Sequence, residues 1–400
     1  MLSFLFKIIK RHLTDKFDES LVIIFVTLIV IFGFYHFSLI NNLSSQVTTL
    51  LSSGSTAQKQ LLSIKQELTD LKNQDQVKIN KDLQTEIKNI ETNYDLAVSA
   101  YEKLVDLKPK IKDSSKLDSL FAQALKQLSQ KNFASASSTL ADLNTKIQQE
   151  NDKLVSSFTI PANVLTSNTP PKSGFSSQTV QTDSGSFLVN IVSADLNSTK
   201  VIVDTASDSD CSNNCPVLSL ADYVNRNGAF AGINGSFFCP AEYPSCAGKT
   251  NSFDTLLMNK NKHYFNSDNN VYSVVPAVIF QGSSIRFVGQ SLQWGRDTSI
   301  DSMIANYPLY VVGSQNQFGG NGDPKIDNKG TRTFVANIDS TVYIGVIYNA
   351  SGSDAAKVLK TLGMHNALGL DQGGSTALWY GGYKAGPGRN IPNAVLFVKR

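Results

Sequence analysis

The sequence predicts an α+β chain: a single membrane-spanning helix, a helical coiled-coil or hairpin stalk, and a mixed, mostly-β domain with one strand–helix–strand unit. Three observations predict it. An uncharged apolar run fills Leu21–Ile40, a heptad-spaced seam follows it, and alternating β-branched runs take over after residue 178. At 400 residues the chain is long enough for two or three structural units with a proper core.

The first element is the span. Leu21–Ile40 holds no Asp, Glu, Lys or Arg, and about 20 helical residues cross a hydrocarbon layer of roughly 30 Å. A cleaved signal peptide is the rival reading. Its apolar region is shorter and ends at small residues, whereas Tyr35, His36 and Asn41 stand here. Lys7, Lys10, Arg11 and Lys16 precede the run, and no further Lys or Arg occurs before Lys59. The positive-inside rule then leaves residues 1–20 in the cytoplasm and sends everything after the anchor, 21–40, across a cell membrane. The net charge of +3 comes without any basic cluster, so no nucleic-acid partner is expected.

Residues 41–155 read as the stalk. Leu83, Ile87, Ile90, Tyr94, Ala97, Tyr101 and Leu104 recur at spacings of four and three, a seam that Pro109 interrupts. Leu117, Leu120, Ala124 and Leu128 mark a second helix, and Phe133, Ala136, Leu140, Leu143 and Ile147 a third, which together suggest an αα-hairpin. No ionisable constellation with catalytic spacing occurs here. The segment is expected to hold the rest off the membrane, with self-association through the seam as the sharper alternative.

Residues 156–178, with three prolines and no acidic residue, read as a linker. The domain at 179–400 then offers strands at Phe187–Val192, Lys200–Asp204, Val274–Phe280, Val342–Tyr348 and Ala394–Val398. Its clearest helix is Ala355–Leu362, with Ser353 as N-cap and Gly363 just past its end, followed by the apolar run Ala367–Leu370. The four cysteines, Cys211, Cys215, Cys239 and Cys246, crowd into one short stretch. In an exported domain they read as two disulfides, with adjacent pairing favoured among three connectivities. A four-cysteine zinc site is the alternative, which these spacings fit poorly.

Absences narrow the chemistry. There is no G-x-S-x-G elbow, no phosphate-binding P-loop and no H-x-x-x-H pair, and the domain has only His263 and His365. A histidine-ligated metal or histidine-based triad is therefore not expected, and neither metal nor cofactor is assigned. Carboxylates, arginines, amides and glycine turns remain. Ala231–Phe238 places Asn234 before a glycine and two aromatics, and a plain hairpin turn would explain it equally well. Asp371 ends an apolar run and is followed by Gln372, Gly373, Gly374, Ser375 and Thr376; such a loop can turn backbone N–H groups toward an anion, or merely make a tight turn. Arg332 and Arg389 flank glycines near strand starts and could form a fork for phosphate oxygens.

Taken in order, NGSFF, the R-T before a strand, LDQGGST and R-N-x-P-N-A-V resemble the phosphodiester glycosidase family. The resemblance covers about 179–400 and none of the helical half. Carried over residue by residue, it marks Asn234, Arg332, Asp371, Gly373, Gly374, Ser375 and Arg389. Gln372 departs from it, since the family usually has glycine there. The resemblance implies hydrolysis of a sugar-1-phosphodiester in an envelope or extracellular glycan. Asp371 would be general base or electrostatic stabiliser, the two arginines would face phosphate, and Asn234, Ser375 and Thr376 would bond the substrate. A non-catalytic module that holds anionic cell-envelope glycans is the alternative.

Overall fold

The computed structural model describes residues 19–266 and 274–400. The chain divides into two compact units, Met1–Lys88 and Asn89–Arg400. In the first, helix α1 (Glu19–Lys72) carries the apolar run with its side chains exposed from Ile23 to Ile40. Among the described residues it is the one helix long and apolar enough to cross a membrane. Lys7, Lys10, Arg11 and Lys16, on which the expected orientation rests, lie outside the described residues. Helix α2 (Asp75–Leu107) begins in this unit, where Leu83 and Ile87 are exposed.

The second unit contains the end of α2, helix α3 (Ser115–Ser129) and helix α4 (Phe133–Ser157). Pro109 cannot extend α2 and instead opens a single 3-10 turn, Lys108–Lys110. Asn132 caps α4 by accepting the Ser135 N–H at 3.3 Å. The expected seam is buried only in part. Ala97 and Leu104 pack with Leu117, Ala124, Leu140 and Ile147, while Ile90 and Tyr94 stay exposed. This small helical layer belongs to the same unit as the β-rich residues. Asn349 Nδ2 donates to the Val155 carbonyl at 3.1 Å, and the rings of Phe158 and Tyr348 stack at 6.3 Å. The stretch read as a linker is also shorter than expected, because a strand already begins at Gly174.

Three sheets follow among the described residues. Eight strands form the largest, in the order 165–166, 174–182, 185–195, 341–350, 330–338, 366–369, 309–312 and 315–316. A five-stranded sheet orders 383–385, 378–380, 231–234, 393–399 and 199–205, and a second five-stranded sheet orders 264–265, 257–258, 302–305, 277–281 and 284–288. Residues on successive positions face opposite sides, as the pleat requires. Val201 and Val203 pack with Val335 and Ile344 between the sheets, while Ile202 turns outward to helix α5 (Leu220–Asn227). Helix α6 (Gly352–Thr361) covers the far side of the eight-stranded sheet through Ala355, Val358 and Leu359. Its N-cap is Ser351 rather than Ser353, because Asp354 completes a reciprocal capping box with Ser351, and Gly363 follows with φ +76°. The strands before and after α6 are not neighbours: 330–338 lies between them, antiparallel to both. The layers are helix, sheet, sheet, helix.

Candidate active site

Two strands from different sheets end at the same place. Strand 366–369 of the large sheet runs into Asp371, and strand 231–234 of the smaller sheet runs into Gly235. The Asp371 N–H donates to the Gly235 carbonyl at 2.9 Å and so ties the two ends together. Asn234, fully buried, fastens the joint further. Its Nδ2 donates to the Asp371 carbonyl at 2.6 Å, and its Oδ1 accepts the Ala377 N–H at 3.1 Å. Thr333 Oγ1 also donates to the Asp371 carbonyl. Gly235 is required here: a Cβ on it would lie 1.7 Å from Asn393 Oδ1, the oxygen that accepts the Ser236 N–H. Asn234 and Asn393 thus act mainly on backbone.

The loop that follows shapes the carboxyl of Asp371. Asp371 is 9% exposed. Its Oδ1 accepts the Gln372 N–H at 2.8 Å, and Ser375 bonds its side chain as well. Burial pushes its pKa up to about 7, outweighing the pull of Ser375, the Gln372 N–H and Arg389, with Asp254 adding to the rise. Gly373 sits at φ +63°, and Ser375 and Thr376 are buried, with Thr376 Oγ1 2.9 Å from Thr331 Oγ1. Gly374 leaves the space that Arg389 fills, since a Cβ there would come within 2.2 Å of Arg389 Nη2. The Arg389 N–H returns to the Gly374 carbonyl at 2.8 Å.

The two arginines have different surroundings. Arg332 is 3% exposed. Its Nη2 donates to the carbonyls of Ile326 (2.8 Å) and Asn328, and its Nη1 to Gln372 Oε1 (2.9 Å) and the Thr331 carbonyl (3.2 Å). Only its Nε–H has no partner among the described residues, and burial lowers its pKa. Gln372 passes the connection on, its Nε2 donating to the Lys325 carbonyl at 3.0 Å. Arg332 therefore reaches the Asp371 loop through Gln372, with its fork turned into carbonyls. Arg389 instead meets carboxylates, Asp106 at 3.1 Å and Glu242 at 3.6 Å. Burial alone would lower its pKa, but Tyr243, Asp106, Asp371 and Glu242 together raise it.

Several residues of this cluster carry no signal in the sequence. Tyr243 has both Lys325 and Arg389 over its ring, each 5.4 Å from the centre. It stands on the loop closed by the Cys239–Cys246 disulfide; Cys211–Cys215 is the second bridge, and no described cysteine is free. Asp254 donates its N–H to the Phe237 carbonyl at 3.2 Å, two residues along from the carbonyl that Asp371 uses. Its carboxylate has no hydrogen-bond or ion-pair partner among the described residues, and burial raises its pKa despite Lys249 and Lys325. The one available hint was the NSFD run behind the cysteines. No group of His, Cys, Asp and Glu suited to a metal ion occurs among the described residues.

Comparison with known proteins shows what part of this domain resembles. Residues 227–398 match the model of the phosphodiester glycosidase family. A comparison with curated proteins finds no significant match. Among solved structures, the zebrafish N-acetylglucosamine-1-phosphodiester alpha-N-acetylglucosaminidase catalytic domain, auto-inhibited by its pro-peptide, is similar at 14% identity and TM-score 0.45, over 59% of this chain and 87% of that one. A hypothetical protein from Synechocystis is similar at 12% identity and TM-score 0.39, over 56% of this chain and 62% of that one. A Burkholderia pseudomallei exported protein follows at 11% identity and TM-score 0.35, over 53% and 74%.

Proposed function

We propose that the domain bearing the phosphodiester glycosidase match hydrolyses sugar-1-phosphodiesters, releasing the sugar and leaving a phosphomonoester on the other group. One observation carries the reading. The Asp371 carboxyl, buried and pushed up to about 7, sits on a Gly373–Gly374–Ser375 turn directly under Arg389. A plain β-fold has no need to keep a carboxyl in that state; proton transfer at neutral pH does.

The step consumes one water. The bond between the anomeric carbon and the phosphate oxygen breaks, the water oxygen joins the anomeric carbon, and the phosphate keeps the bonding electron pair. Asp371 is suited to pass a proton to that leaving oxygen, or to take one from water, because both of its protonation states are populated near pH 7. Asp254, half-buried on the same backbone segment and without a hydrogen-bond or ion-pair partner among the described residues, is the second carboxylate that such a pair needs. Arg389 and Lys325 supply positive charge toward the phosphate. Arg332 sets the loop from behind and does not itself face the anion. Helix α1 is read as the membrane anchor, with the disulfide-bearing domain on the oxidising side.

The test is turnover. The full chain, purified in detergent, is incubated with a panel of UDP-sugars and sugar-1-phosphodiesters while reducing sugar is measured. Release that disappears in Asp371→Asn supports hydrolysis. Tight binding of a panel member without any release would replace the enzyme by a glycan-binding module.

A further inference from the structure

The last turn of α2 enters the site that the sequence assigned wholly to the β-rich half. Asp106 presents one carboxylate oxygen to each of two donors. Tyr243 Oη donates to Oδ2 at 2.5 Å, and Arg389 Nη2 donates to Oδ1 at 3.1 Å. Glu102, one turn earlier, accepts the Ser245 N–H at 3.1 Å, so the helix touches the Cys239–Cys246 loop at a second point. Burial, and then the bond to Asp106, push the Tyr243 phenol up, which keeps it a donor. The Arg389–Asp106 pair is not sealed: their side chains are 17% and 35% exposed.

Two donors that fit the two oxygens of one carboxylate also fit two oxygens of a phosphoryl group. We propose that Tyr243 and Arg389 form an oxyanion site for a phosphoryl group, and that Asp106 fills it as a displaceable internal ligand. The proposal rests on the phosphodiester reading and gives the phosphate its place within it. A partly exposed ion pair is weakly held, so a ligand anion can exchange with it. Lys325 over the Tyr243 ring, and Lys110 one turn beyond Asp106, keep positive charge near the site during the exchange.

The opposite role for Asp106 would be to hold Arg389 ready for the ligand. Electrostatics argues against it. An anion on the same guanidinium would sit within about 5 Å of the Asp106 carboxylate, and like charges at that range repel more than one fixed side chain contributes in order.

The experiment is a calorimetric titration of the full chain in detergent with inorganic phosphate. Asp106→Asn should bind phosphate about tenfold more tightly than the wild type, and adding Tyr243→Phe should abolish the gain. Equal or weaker binding by Asp106→Asn overturns the proposal. A second measurement needs no variant. High phosphate should accelerate amide hydrogen exchange at residues 102–110 of the wild type, as the helix end gives up its contacts; unchanged or slower exchange overturns the proposal too. Neither measurement requires turnover. A chain that shows both responses yet hydrolyses no sugar phosphodiester would lose the enzymatic reading and keep the anion site, and the converse pattern would do the reverse.

Discussion

The loops at 330–333 and 388–390 look alike in the sequence, each a glycine and an arginine ahead of a strand, and the structure uses them oppositely. Arg332 is turned inward among the carbonyls of Ile326, Asn328 and Thr331. Arg389 stands over Tyr243 and meets Asp106 and Glu242. Neutral carbonyls within the same fold cannot leave, so the first arginine is a structural tie. Carboxylates on separate segments can be exchanged for another anion, which is the role proposed above for the second. The role of an arginine follows from its acceptors: for Arg332 they lie on the turn just before it, and for Arg389 they are carboxylates on distant segments.

The largest effect should separate the loops by stability. Arg332→Ala leaves buried carbonyls and Gln372 Oε1 without donors, which should lower unfolding free energy by about 3 kcal/mol or more. Arg389→Ala removes partly exposed ion pairs to Asp106 and Glu242 and the cation over Tyr243, and should cost only about 1–2 kcal/mol. Urea unfolding of the full chain in detergent measures both, and similar losses would erase the distinction.

Next comes Asp371, which ties the loops together. Asp371→Asn should cut turnover by about 10²-fold. Its folded pKa of about 7 lies above the ordinary carboxyl value of 3.8, so the folded state holds the proton more tightly. That contribution to stability is fully present below about pH 4 and is lost as pH rises through about 7. The Asn variant escapes the loss. It should be more stable than the wild type at pH 8, by roughly 1–4 kcal/mol, with the difference vanishing near pH 4. Melting curves across that range would contradict the buried carboxyl if the two proteins ran parallel.

How much of this was legible beforehand depends on range. Period-2 runs gave the strands at 185–195, 341–350 and 393–399, because each is a local pattern on a half-buried face. The apolar faces of α3 and α4 were readable for the same reason. The motif residues Asn234, Asp371, Ser375 and Arg389 do gather at one joint. What failed to show was anything polar reaching across distant segments. Asp106 is one acidic residue on a solvated-looking helix, and nothing in a heptad pattern says that it meets a tyrosine on a disulfide loop. Arg332 is the mirror case: its motif suggests a ligand fork, and the structure gives it partners on the turn just before it.

A smaller effect tests the exchangeable arginine. Arg389→Lys keeps the charge and loses the planar fork, so phosphodiester binding should weaken about tenfold with kcat nearly unchanged. A fall in kcat instead would place Arg389 at the breaking bond rather than on the ligand's phosphate.

The smallest effect concerns Gln372, which stands where the family resemblance has a glycine. Its φ of −136° is ordinary extended backbone, so nothing in the chain conformation calls for glycine there. The side chain accepts from Arg332 and donates to the Lys325 carbonyl, bridging the structural tie to the turn that carries Lys325. Gln372→Gly removes both bonds and adds backbone freedom, yet Arg332 keeps the carbonyls of Ile326 and Asn328. Stability should fall by about 1–2 kcal/mol. The Gln372 N–H that bonds Asp371 belongs to the backbone and survives the change. The acidic limb of the pH–rate profile should therefore stay in place, and kcat should change by less than about threefold. If kcat instead falls as far as in Asp371→Asn, Gln372 must touch the substrate. The loop of Arg332 would then be part of the chemistry, and the division between the two arginine loops would not stand.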